Sequence, residues 1–84
     1  MLRKEYFSVN GQDYPVYCFG NDFNGNPRYI VHYLDIGLAD HVASEKTRAA
    51  GLRLFHGRAF GGGFTFTSYD VKSELAFILK KLSE

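Results

Sequence analysis

A single cysteine, Cys18, is all the thiol chemistry this chain of 84 residues contains. An internal disulfide is therefore excluded, no zinc framework of paired cysteines is present, and a reducing compartment is the expectation. Charge of one sign is equally scarce. A net +1 is too little for a dedicated polyanion binder, whose phosphate contacts need a clustered excess of Lys and Arg. Long apolar runs are missing as well: none approaches the ~20 residues of a membrane-spanning helix. The start Met1-Leu2-Arg3-Lys4-Glu5-Tyr6 does not lead into the apolar stretch of a secretory signal. The expectation from these absences is a cytoplasmic protein with no membrane partner.

Linkers, repeats and catalytic motifs are also lacking, so residues 1–84 read as one domain. Cys18, Ser44, His32, His41, His56, Asp35 and Asp40 supply the letters of nucleophilic catalysis, but no nucleophile elbow or comparable context surrounds them. Among the soft metal ligands only His41, with Glu45, has helical i, i+4 spacing, far short of the four ligands of a structural zinc site. A core this small also leaves little room for a substrate cleft. No enzyme activity, metal or cofactor is expected.

What the chain has in excess is aromatic side chains, eight Phe and six Tyr. Each contributes about 1.5–3 kcal/mol when fully buried, which lets a short chain stabilise a core. Glu5–Val9 and Tyr14–Phe19 are β-prone runs separated by Asn10-Gly11, the pair best suited to a primed hairpin turn. After a second turn region at 20–27, Arg28 to Ile36 is apolar on both faces and reads as a central strand. Leu38 to Ala50 reads as a weak helix with a stripe of small residues, Leu38, Val42 and Ala49 joined by Ala39, Ala43 and Ala50. Asp35 or Asp40 is its candidate cap, and Gly51 its stop. Leu52 to Phe60 follows, then Gly61-Gly62-Gly63 as a hairpin tip, then the alternating strand Phe64 to Thr67.

Thr67 and Asp70 have the spacing of a capping box before the final helix, whose Val71, Leu75, Ile78, Leu79 and Leu82 share one face. The expected fold is α+β, in the order ββ-β-α-ββ-α. It has an antiparallel or mixed sheet of about five strands, two helices, and the C-terminal helix packed on the sheet. Ile30, His32, Leu34 and Ile36 are expected to join Phe64 and Phe66 beneath that helix, and Leu34 to belong to the core. Tyr29, Val31 and Tyr33 are then left to the opposite face with Tyr17 and Phe19.

No family motif can be placed residue by residue. Arg58-Ala59-Phe60-Gly61-Gly62-Gly63-Phe64-Thr65-Phe66 contains the residue types of the RNA-recognition motif, but the triple glycine displaces the aromatic that should follow the first glycine. Tyrosines and arginines on one sheet face suit a protein interface, because they offer large contact area at low entropic cost. The function expected is a non-enzymatic protein-interaction module that binds a protein partner or a second copy of itself. Single-stranded nucleic acid, stacked on tyrosines and held by arginines, is the alternative. Candidate interface residues are Tyr17, Phe19, Arg28, Tyr29, Tyr33, Arg53, Arg58 and Phe77, with Gly61, Gly62 and Gly63 as a slim loop open to close approach.

Overall fold

Asn10 and Gly11 adopt φ values of 53° and 81°, the pair of positive angles that a primed turn requires. They close a hairpin between β1 (Arg3–Val9) and β2 (Gln12–Asn21), with Val9 opposite Gln12. The computed structural model describes residues 3–57 and 61–83. Three further strands, β3 (Pro27–His32), β4 (Arg53–Gly57) and β5 (Gly61–Thr67), complete a sheet in the order β1-β2-β3-β5-β4 with every neighbouring pair antiparallel. Helices α1 (Asp40–Ala49) and α2 (Val71–Ser83) are both amphipathic. The expected α+β architecture is present, with α2 packed on the sheet.

The central strand is shorter than its composition suggests. It ends at His32, and Leu34–Ile36 forms a single 3₁₀ turn closed by Gly37 in the left-handed region. Leu34 consequently faces solvent at 82% exposure instead of entering the core, and Ile36 is half-buried.

The register also reverses the expected faces. Tyr29 lies opposite Phe66 and Val31 opposite Phe64, so the odd-numbered residues of β3 share a face with the two phenylalanines. Tyr29, Val31 and Tyr33 form the core with Val16, Phe64, Phe66, Ala43 and the α2 residues Val71, Leu75, Ile78 and Leu82. Leu79 is half-buried at its edge. A slip of one residue would exchange the two sets, and the odd set is favoured because it buries two tyrosine rings against two phenylalanine rings.

Both helices lie on this one face. Helix α1 rests against β4, β5 and α2. Its buried stripe is Ala43 and Thr47, while Val42 and Ala49 are exposed. Thr47 is buried because both of its polar contacts are made inside: with Tyr33 Oη at 2.8 Å and to the Ala43 carbonyl at 2.6 Å. Ala39 occupies the α1 N-cap without a side-chain bond. Lys46 Nζ donates to the Leu82 carbonyl at 2.9 Å and ties α1 to the last turn of α2. The start of α2 is capped three residues later than the expected Thr67–Asp70 box: Asp70 Oδ1 accepts from the Ser73 amide, and Ser68 Oγ from the Asp70 amide.

The glycine run is not a hairpin tip. Gly61, Gly62 and Gly63 open β5 and pair with Gly57, His56 and Phe55. At Gly63 a β-carbon would overlap the Val31 carbonyl of the adjacent strand, so glycine is required there by close backbone approach.

Candidate interaction face

Alternation sends Arg28, Ile30 and His32 to the side of the sheet away from the helices, and the ladders carry their neighbours with them. Tyr17 pairs with Ile30 and Lys4 with Tyr17, while Thr65 pairs with Ile30 and Thr67 with Arg28. Beyond β5, Arg53 lies opposite Thr65 and Phe55 opposite Gly63. Among the described residues, neither helix covers this face.

The face is built as an aromatic cluster with cations set on its rings. The Tyr17 and His32 rings are 5.2 Å apart, and Phe19 and Phe55 are 6.5 Å apart. Arg28 places its guanidinium 4.4 Å from the Phe19 centroid; Lys4 Nζ is 5.2 Å from the Tyr6 centroid and 5.8 Å from that of Tyr17. The Tyr6 hydroxyl, followed by the Tyr17 phenol, raises the Lys4 ammonium above its ordinary pKa, so its charge persists across neutral pH. Ile30 and His32 are buried beneath these side chains.

At one end of the face a groove of about 610 Å³ runs between the β2–β3 turn and β5. Arg28, Arg53, Thr65 and Thr67 line it, with Asp22 and the fully exposed Phe23 on its rim. The Asp22 carboxylate is committed to its own turn: Oδ1 accepts from the Asn24 and Asn26 amides, both at 2.9 Å. Among the described residues the one ion pair joins Arg3 to Glu5, and no carboxylate pairs with Arg28 or Arg53. No cluster of three or more His, Cys, Asp or Glu side chains able to hold a metal occurs among them either. What the surface offers chemically is aromatic contact area, positive charge and hydroxyl groups.

Of the sequence candidates, Tyr17, Phe19, Arg28 and Arg53 are brought together here. Tyr29 and Tyr33 are not, being 8% and 1% exposed beneath the helices. Their removal from the interface follows from the register that pairs Tyr29 with Phe66. Gly61, Gly62 and Gly63 are bound into the ladder rather than presented as a loop. Arg58 lies outside the described residues. Phe77 is exposed as its helical position implies, but on the outer face of α2, with Lys81 Nζ 5.3 Å from its ring. Lys4, Tyr6, Phe23 and Phe55 were not anticipated. For Phe55 a signal existed, since it alternates with Arg53 in the same strand.

The model of one protein family, described as Staphylococcus phage terminal repeat-encoded protein TreK, matches residues 7–84. No curated protein matches the chain. No solved structure does either. Among the described residues, no helix is long and apolar enough to cross a membrane.

Proposed function

We propose that this chain, which belongs to the family of Staphylococcus phage terminal repeat-encoded protein TreK, is a non-enzymatic protein-interaction module that docks a partner protein on its helix-free sheet face. The observation that carries this reading is the segregation of both helices to one side. It leaves Tyr17, Phe19 and Phe55 on the other, interleaved with Lys4, Arg28 and Arg53. Aromatic residues with arginine are the side chains that protein interfaces concentrate at their centres. The three cations favour an acidic partner surface, since complementary charge steers encounter and sets register.

Binding of single-stranded nucleic acid draws on the same residue types but fits their arrangement less well. Lys4 and Arg28 sit over the Tyr17 and Phe19 rings, the surfaces on which bases would stack. The chain's +1 charge also provides no continuous track for a phosphate backbone.

The experiment is partner capture from Staphylococcus lysate with the wild-type chain, Lys4→Glu and Tyr17→Ala, each variant first checked for an unchanged fold by circular dichroism. A protein retained by the wild type and lost from both variants supports the reading. Retention by both variants overturns it. So does tight binding of oligothymidylate with a steep salt dependence.

A further inference from the structure

The groove at the end of the face has the makings of a specific anion site. Arg28 approaches β5 from β3, opposite Thr67, and Arg53 approaches it from β4, opposite Thr65. All four side chains project to the same side of the sheet. The two arginines therefore flank a single strand from both sides with two threonines between them. Both arginines line the one groove, and an anion received there would be attracted by both charges. The one acid on the rim is engaged in its own turn, Asp22 Oδ1 accepting from the Asn24 and Asn26 amides and Oδ2 from Asn26 Nδ2 at 3.4 Å, and among the described residues it pairs with neither arginine. Arg28 is restrained by Phe19, whose ring its guanidinium overlies at 4.4 Å. A stacked guanidinium keeps its N–H edge free for an in-plane, two-pronged hydrogen bond. Phe23, fully exposed on the rim, adds an apolar surface beside the charge.

We infer that this groove is the anchor point of the proposed docking face, and that it receives a carboxylate side chain of the partner protein with an adjoining apolar residue laid against Phe23. The planar guanidinium edges match a planar carboxylate, and two arginines with two threonines satisfy one or two carboxylates rather than a polymer of phosphates. The inference rests on the docking role proposed above. It adds the chemistry of the group that is recognised.

The test is an NMR titration of the whole chain, following backbone amides and arginine Nε–H signals. The probes are a blocked peptide with two glutamates flanking a leucine, the same peptide with glutamines, inorganic phosphate, and oligothymidylate. The glutamate peptide is expected to shift Phe23, Arg28, Arg53, Thr65 and Thr67. The glutamine peptide should bind about tenfold more weakly, as should the glutamate peptide to Arg53→Gln. Arg53 is exposed, so this variant retains the fold. Equal binding of the two peptides, shifts elsewhere, or no binding overturns the inference. So does a preference for phosphate or oligothymidylate over the glutamate peptide. The two proposals fail separately: a captured partner that depends on Lys4 and Tyr17 but tolerates Arg53→Gln leaves the docking role standing and removes the carboxylate anchor.

Discussion

The phenol of Tyr33 donates its proton to Thr47 Oγ1, 2.8 Å away. The direction follows from the second contact of Thr47, whose own hydroxyl proton goes to the Ala43 carbonyl at 2.6 Å. A threonine has one such proton to give. This buried pair joins the end of β3 to a helix that has no side-chain N-cap and little apolar area of its own.

Thr47→Val should therefore destabilise the domain by about 1–3 kcal/mol, because it strands the buried Tyr33 hydroxyl. Tyr33→Phe should cost less, about 0.5–1.5 kcal/mol, since it leaves Thr47 with its Ala43 contact. Urea unfolding of both variants and of the double mutant checks this. The double mutant should fall well short of the sum.

Leu75 and Leu34 make a matched pair of opposite expectation. Leu75 is fully buried and Leu34 is 82% exposed. Leu75→Ala should cost about 2–5 kcal/mol, whereas Leu34→Ala should stay within about 0.5 kcal/mol. Comparable losses of thermal midpoint in the two variants would contradict the placement of β3.

Gly63→Ala should be costly despite adding only a methyl group, because the new carbon would overlap the Val31 carbonyl. A loss of about 1–3 kcal/mol is expected, typical of overpacking. Hydrogen exchange at the β3–β5 ladder should rise with it.

Burial, followed by Cys18 and Glu5 nearby, pushes the Tyr29 phenol above its ordinary value of 10.0. The folded state thus holds this proton more tightly than the unfolded chain does. The associated stability is complete below the unfolded pKa and is lost as pH rises through the raised folded value. Tyr29→Phe should flatten part of the alkaline fall in stability, measured by urea unfolding between about pH 9 and 11. An unchanged slope would show that other groups produce it.

Phe77 lies on the outer face of α2, 57% exposed with Lys81 Nζ 5.3 Å from its ring. Phe77→Ser should leave the melting temperature nearly intact, the change staying under about 1 kcal/mol. It should also leave partner capture through Lys4 and Tyr17 unaffected. Dissociation of an oligomer by this substitution would reveal a second binding surface.

Local chemistry settled much of this protein from sequence alone. Asn10-Gly11 specified its turn because few other residues adopt two successive positive φ angles, and the spacing of Val71, Leu75, Ile78 and Leu82 specified the buried side of α2 because helical geometry allows one common face. The element order and the α+β class followed from such signals. Which face of β3 met the helices was decided only by tertiary pairing. Residues 28–36 are apolar at both parities, and period-two alternation cannot choose between parities when both are greasy. Pairing Tyr29 with Phe66 and Val31 with Phe64 made the choice. The same choice sent Tyr29 and Tyr33 inward and put Phe55 and Arg53 on the same face as Arg28. Contacts between residues far apart in sequence carry no local signature, so the aromatic face opposite the helices exists only once the sheet has assembled.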